Sequence, residues 1–132
     1  MSWEKEQMAN LVATDVEIAH MMRHSFEPVV LINDVGYFVM VSYKWEEILG
    51  FTRKQLCQKP FKYFLHKEDY DTIKAYHESP IFNKSAERKK GFINRYRTTT
   101  DGKYAKFRWI QLGMNKDGFS VALAEFLEYE YS

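Results

Sequence analysis

The chain of 132 residues has the length of one domain, long enough to bury a substantial hydrophobic core. Hydrophobic residues make up 45% of it and aromatic residues 17%, which excludes an intrinsically disordered chain. Nineteen basic residues nearly balance eighteen acidic ones, so the charge indicates no nucleic-acid partner.

The single cysteine, Cys57, excludes an internal disulfide and a cysteine-based zinc site, and it fits a reducing cytoplasm. No apolar run approaches the roughly 18 residues that a membrane span needs. The N-terminus has no basic segment followed by an apolar one, so no signal peptide is evident. We therefore expect a soluble cytoplasmic domain without a membrane or nucleic-acid partner.

Residues 3–24 have the pattern of an amphipathic helix. The segment lacks glycine and proline, and its apolar residues recur at helical spacing. Pro28 ends it, because the residue before a proline is biased away from the helical conformation. The candidates for a dimerisation seam are Met8, Leu11, Val12, Ile18 and Met22. The pattern fits a helix packed on its own domain and a helix packed on a second copy equally well.

The next fifty residues predict a β-hairpin followed by short helices. Two apolar runs rich in β-branched residues, 29–33 and 37–41, flank a turn at Asp34-Val35-Gly36. Ser42 and Thr52 are candidate N-caps, because their hydroxyl groups can accept a backbone hydrogen bond at a helix start. The four helical patterns begin at Ser42, Thr52, Pro60 and Lys67, and the last and longest of them ends at His77.

The C-terminal part predicts three antiparallel strands, 91–98, 104–112 and 119–127. Asp101-Gly102 and Lys116-Asp117-Gly118 supply the turns between them, because glycine accepts the backbone conformation of a tight hairpin. In the second strand one face carries Ala105, Phe107 and Trp109. A helix, a hairpin, short helices and a three-stranded meander in this order indicate the α+β class, with an antiparallel sheet and helices on one face.

Four segments are informative when they are taken together. They are Asp34-Val35-Gly36; Ser42, Trp45, Leu49 to Thr52 and Leu56; Pro60-Phe61 and Phe64 to Asp69; and Phe92, Asn94 to Arg97, Asp101-Gly102, Tyr104 and Trp109. In this order they resemble the PAS sensor domains, most closely those of bacterial sensor histidine kinases and diguanylate cyclases. The resemblance covers roughly residues 24–128.

The resemblance implies a five-stranded antiparallel sheet in the order 2-1-5-4-3, with short helices on one face. Together with the N-terminal amphipathic helix that the apolar pattern predicts, it divides the chain into a candidate dimerisation helix over residues 1–24, a PAS domain over 25–128 and a C-terminal tail over 129–132. It also implies a sensory module for signal transduction, of the kind found in two-component systems. Such a module forms a homodimer and binds a signalling protein or a small-molecule ligand.

Catalysis is not expected, because the chain has no P-loop, no glycine-rich nucleotide fingerprint and no nucleophile motif. Members of the family that bind ligands hold flavin, haem or small organic acids between the sheet and the helices. The candidate pocket residues here are Trp45, Phe64, Tyr70, Ile73, Tyr76, His77, Arg95, Phe107 and Trp109. Arg95 and Arg97 share one strand face, where they could clamp a ligand carboxylate, but pairing with Glu or Asp on the neighbouring strand is the preferred interpretation. Because aromatic stripes are more often core than pocket, a packed interior is the preferred interpretation.

No cofactor is predicted. Pro60 aligns with the reactive cysteine of the photochemical flavin class, and Cys57 is misplaced for the flavin adduct. The axial histidine of haem-binding members aligns near Ile73, whereas His77 lies about one turn further along the helix. A helix-end histidine that is favoured by the helix dipole is therefore preferred, and a haem sensor is the alternative function.

The other histidines predict no metal site. His20 and His24 have the i, i+4 spacing of a helical metal pair, but no third ligand follows at a fixed spacing. A solvated helix face is the preferred interpretation of this pair. His66 resembles the family's loop histidine, which implies a capping role before Glu68 and Asp69.

Overall fold

The structure, a computed structural model, describes residues 12–70 and 92–132. Its strands are β1 (Val12–Ala13), β2 (Val29–Ile32), β3 (Phe38–Val41), β4 (Phe92–Arg97), β5 (Lys103–Asn115) and β6 (Ser120–Tyr131). Its helices are α1 (Asp15–His24), α2 (Lys44–Leu49), α3 (Arg53–Gln58) and α4 (Phe61–Phe64), and residues 67–70 are helical as well. None of the helices described is long and apolar enough to cross a membrane.

The strands form one sheet. β3, β2, β6, β5 and β4 are antiparallel neighbours in that order, and β1 pairs in parallel with the end of β5. Numbered from β2 onward, the five antiparallel strands have the order 2-1-5-4-3. The predicted fold is therefore confirmed, with the two-residue strand β1 as an addition.

The predicted N-terminal helix is wrong at residues 12–14. Val12 and Ala13 form β1, and Thr14 is the extended N-cap of α1, where its hydroxyl accepts a 3.1 Å hydrogen bond from the Glu17 N–H. A residue at the N-cap leaves the helical conformation, so the chain before it does not continue the helix. Residues 3–11 of the predicted helix lie outside the described residues.

Two hydrophobic clusters lie on opposite faces of the sheet. The interior cluster lies between the inner face of the sheet and helices α2 to α4, and it is centred on Trp45. The outer cluster lies between α1 and the other face, and it consists of Ile18, Met22, Val29, Leu31 and Val121. The pleat of β2 explains the division, because successive side chains of a strand point to opposite faces.

Two further predictions are wrong and one is confirmed. β6 continues to Tyr131, so most of the predicted tail over residues 129–132 belongs to the sheet. Ser42 is not an N-cap: its hydroxyl accepts from the Val29 N–H at 3.0 Å and donates to the Glu27 carbonyl at 2.8 Å. Thr52 does cap α3, in a capping box with Gln55. The predicted helix over 67–77 is described only as far as residue 70.

Candidate functional site

The interior of the domain is organised around one tryptophan. Trp45 on α2 is completely buried, and its indole N–H donates a 3.1 Å hydrogen bond to the carbonyl of Val29 on β2. The rings that surround it, with their centroid distances from the Trp45 ring, are Phe107 (5.1 Å), Phe38 (5.5 Å), Trp109 (5.8 Å) and Tyr96 (6.1 Å). These tilted and edge-to-face arrangements add ring–ring attraction to the burial of apolar area.

The polar atoms of these rings are bonded within the protein. The indole N–H of Trp109 donates to the side-chain oxygen of Asn94 at 2.7 Å, and Asn94 itself is only 2% exposed. Burial raises the pKa of the Tyr96 hydroxyl far above its ordinary value, and a hydrogen bond from Asn94 offsets part of that shift. Among the described residues, no buried side-chain nitrogen or oxygen lacks a hydrogen-bond partner.

The structure brings together only part of the predicted pocket. Trp45, Phe64, Phe107 and Trp109 are buried in the interior cluster. Tyr70 instead lies at the surface, 38% exposed, with the ammonium group of Lys62 5.2 Å from its ring centroid. Three of the predicted pocket residues lie outside the described residues: Ile73, Tyr76 and His77.

Arg95, the predicted carboxylate clamp, is engaged by a carboxylate of the chain itself. The Asp69 carboxylate accepts three hydrogen bonds from Arg95: from the guanidinium Nη2 at 2.8 Å, from Nε at 3.0 Å and from the backbone N–H at 2.8 Å. Glu68 and Glu130 lie 3.2 and 3.6 Å from the same guanidinium. Arg95 therefore pairs with an acidic side chain of its own chain, which was the preferred prediction, but Asp69 lies in residues 67–70 and not on the neighbouring strand. The bidentate geometry is the one that was considered for a ligand carboxylate.

The Asp69–Arg95 pair shifts the ionisation of both partners. Burial raises the pKa of the Asp69 carboxyl, but the hydrogen bonds and charge of Arg95 outweigh burial, so the pKa is lowered overall. The hydrogen bond to Asp69 likewise raises the pKa of Arg95. Both groups are therefore charged at neutral pH, and the pair is a fixed structural feature on this side of the sheet.

His66 has the capping role that was predicted. Its Nδ1 accepts a 3.0 Å hydrogen bond from the Glu68 N–H, and its own backbone N–H donates to the Arg95 carbonyl at 2.8 Å. Its ring also lies against Tyr104, with 4.4 Å between the centroids. These contacts fix the turn before residues 67–70, and through it the position of Asp69.

The predicted dimerisation residues do not form one exposed seam among the described residues. Ile18 and Met22 are 1% and 2% exposed because α1 packs them against the chain's own sheet. For these two residues the structure agrees with the alternative in which the helix packs on its own domain. Neither side chain is available to a second copy. Val12 lies in β1, paired with Met114, while Met8 and Leu11 lie outside the described residues.

Asn94 is an interior residue that belongs to one of the segments resembling the family but was not predicted to lie in the pocket. It lies on β4 with Phe92 and Tyr96 on the same face, which the pleat turns toward the interior cluster. The available signal was a polar residue that lies between two aromatic residues on the same face of the strand. A buried amide needs partners on neighbouring elements, and the strand pattern alone does not name them.

Comparison with known proteins identifies the fold. No protein-family profile and no curated protein sequence matches the chain. Among solved structures, the PAS domain of a protein from Colwellia psychrerythraea is similar at 14% identity, with a TM-score of 0.62 over 85% of this chain and 95% of that one. A PAS domain from a two-component sensor histidine kinase is similar at 16% identity, with a TM-score of 0.59 over 86% of this chain and 96% of that one.

A third structure supports the same assignment. It is a domain of a sensory box sensor histidine kinase/response regulator from Geobacter sulfurreducens, 13% identical, with a TM-score of 0.58 over 82% of this chain and 90% of that one. Identities this low carry the fold and not the ligand or the partner. Together with the strand order and the packing of α2 to α4 on the inner face, the comparisons show that this chain has the PAS fold.

Proposed function

We propose that this domain is a non-catalytic sensory module for signal transduction that acts through protein partners. Two of the similar structures are named as domains of sensor histidine kinases, which supports the sensory role. No catalytic role is proposed, because the sequence contains no nucleophile or nucleotide motif.

The hydrogen bonding of the interior carries the proposal that no cofactor is held there. A ligand pocket ordinarily presents a few convergent polar groups that fix the orientation of the ligand. Here the indole N–H of Trp45 is bonded to Val29, and the indole N–H of Trp109 is bonded to Asn94. With these groups already paired, a ligand entering between the rings would have to break protein hydrogen bonds and displace packed aromatic area.

We propose further that two copies pair through the outer face of the sheet and the segment before residue 12. Ile93 supports this, because it is an apolar side chain on the outer face of β4 that remains 47% exposed. Since Ile18 and Met22 are used within the chain, the N-terminal contribution would come from Met8 and Leu11.

Light scattering on point variants tests the pairing. Leu11→Asp and Ile93→Asp should each shift the mass of a dimer toward that of one chain. Val16→Asp is the matched control: the Val16 side chain is 79% exposed on α1, and the proposal does not use it. Unchanged dimers for both test variants, or an equal loss of dimer in the control, would contradict the proposed interface.

Native mass spectrometry beside a visible absorption spectrum tests the interior. We expect a colourless protein whose mass is a whole multiple of the 15.8 kDa chain. A Soret band would favour the haem sensor instead. Extra mass without colour, lost in a Phe107→Ala variant that still folds, would favour a small organic ligand among the rings. Either result would contradict an interior filled by the protein alone.

A further inference from the structure

The outward side of α1 carries two histidines that no part of the fold uses. His20 and His24 are four residues apart, so their side chains leave the same side of the helix. Their rings lie side by side, with 4.4 Å between centroids, and both side chains are exposed. Within the described residues, neither ring makes a hydrogen bond or an ion pair. We propose that His20 and His24 together bind one divalent transition-metal ion, through one ring nitrogen each.

The rest of α1 holds this pair in place. Ile18 and Met22 on the opposite side of the helix are buried against the sheet, and Thr14 caps the first turn. The helix end is also fixed, because the Ser25 N–H donates to the Met21 carbonyl at 3.0 Å. An ion that binds two rings on an anchored helix needs to order only their side-chain torsions, which lowers the entropy cost of binding.

The electrostatic surroundings favour a cation at this position. His24 is the last residue of α1, where the carbonyl end of the helix dipole attracts positive charge. Glu17, one turn before His20, adds a carboxylate that the Thr14 hydroxyl holds at 2.9 Å. Arg23 opposes binding, but its exposed guanidinium can extend into water at the end of a long flexible stem.

The donor atoms determine the class of metal. Imidazole nitrogen is a preferred ligand of zinc, nickel and copper, whereas magnesium and calcium take oxygen ligands. No third His, Cys, Asp or Glu completes a metal group within the described residues. Water therefore fills the remaining coordination positions, and the site binds an exchangeable ion rather than a structural one.

Calorimetric titration of the full chain with zinc chloride, and with magnesium chloride as the negative control, tests the proposal. We expect one zinc ion per chain and no magnesium binding. His20→Gln and His24→Gln should each weaken zinc binding roughly 10²-fold, because each removes one arm of a two-point attachment. Asp34→Asn, which removes an exposed carboxylate at the turn between β2 and β3, is the control and should leave the affinity unchanged. Circular dichroism checks that every variant is folded.

A relocation variant tests whether helical spacing is what creates the site. In Val16→His with His24→Gln, the new pair at positions 16 and 20 again has i, i+4 spacing on the exposed side of α1. This variant should regain most of the zinc affinity that His24→Gln loses. The proposal is overturned if the relocated pair binds no better than His24→Gln alone, if either single variant keeps full affinity, or if Asp34→Asn loses as much as they do.

Discussion

Replacing Asn94 by leucine isolates the hydrogen bonds on which the interior depends. The side chain is 2% exposed, and its amide oxygen accepts from the Trp109 indole N–H at 2.7 Å. Leucine has a similar size but cannot accept this bond, so the buried indole N–H loses its partner. A buried donor that is left without a partner costs about 1–3 kcal/mol. We expect Asn94→Leu to lower the free energy of unfolding by about 1–3 kcal/mol.

Urea unfolding followed by tryptophan fluorescence measures this loss. The midpoint should fall while the slope of the transition stays the same, because the surface exposed on unfolding is unchanged. A double-mutant cycle with Trp109→Phe then separates the hydrogen bond from the packing. Phenylalanine keeps a ring but has no N–H, so the second substitution should cost less in the Asn94→Leu background, with a coupling energy of about 1–2 kcal/mol.

Two results would refute the reasoning. A loss below about 0.5 kcal/mol for Asn94→Leu would mean that the Trp109 indole N–H finds another partner, such as water or a ligand. A coupling energy near zero would mean that the indole N–H does not depend on Asn94. Either outcome would remove the main support for an interior without a ligand.

Two further predictions concern charge and backbone. Asp69→Asn should cost about 2 kcal/mol at pH 7, because it removes the charge-assisted bonds to Arg95. Since the fold lowers the pKa of Asp69, its contribution is full above the unfolded pKa of about 4 and is lost as pH falls through the lowered pKa. When urea unfolding is repeated at several pH values, the free energy of unfolding should therefore fall less steeply toward acid pH in this variant than in the unmodified chain. Gly50→Ala should cost clearly more than Gly118→Ala: both positions have positive φ (89° and 80°), but a Cβ at residue 50 would collide with Thr99, whereas one at 118 meets nothing within 4 Å. Equal losses in chemical denaturation would show that the Thr99 contact is unimportant.

The sheet was predictable because its signals are local. The turn at Asp101-Gly102 and the alternation of Ala105, Phe107 and Trp109 specify a hairpin and its buried face within about a dozen residues. The start of α1 was missed although Thr14 and Glu17 have capping spacing, because the apolar periodicity ran on past them. Periodicity reports which face is buried and is a weaker guide to where an element ends.

Ser42 shows where local reasoning fails. It has the residue type of an N-cap and lies just before α2, yet its hydroxyl bridges the backbone of Glu27 and Val29 instead. A serine hydroxyl satisfies whichever buried backbone group lies nearest, and β2 lies closer than the first turn of α2. Only the tertiary arrangement of β2 against α2 determines that choice.

The residues of the candidate site were largely predictable from the sequence, but the partners that they bond were not. Phe107 was placed on a buried face from the alternation of its strand and Trp45 was predicted among the pocket residues, and both are fully buried. The partner of Arg95 lies 26 residues away, at Asp69, and no spacing rule connects them. The apolar stripe of α1 likewise shows that a surface must cover it, without showing that the surface is the chain's own sheet.

The edges of the sheet limit how two copies can meet. A strand edge invites pairing when it presents consecutive free N–H and C=O groups. On β4 the Arg95 N–H is bonded to Asp69 and its carbonyl to His66, while Leu65 bridges to Tyr96. On the opposite side, β3 is only four residues long.

Pairing through a face of the sheet is therefore favoured over pairing strand to strand. Hydrogen exchange provides the test, because the Arg95 amide should be as strongly protected as the amides at the centre of β5 despite its place on an edge strand. In Asp69→Asn that protection should fall while β5 stays protected, since the carboxylate that accepts from this N–H is replaced by a weaker amide acceptor. Fast exchange at Arg95 in the unmodified chain would mean that the edge is open, and strand-to-strand pairing would then be the better account of a dimer.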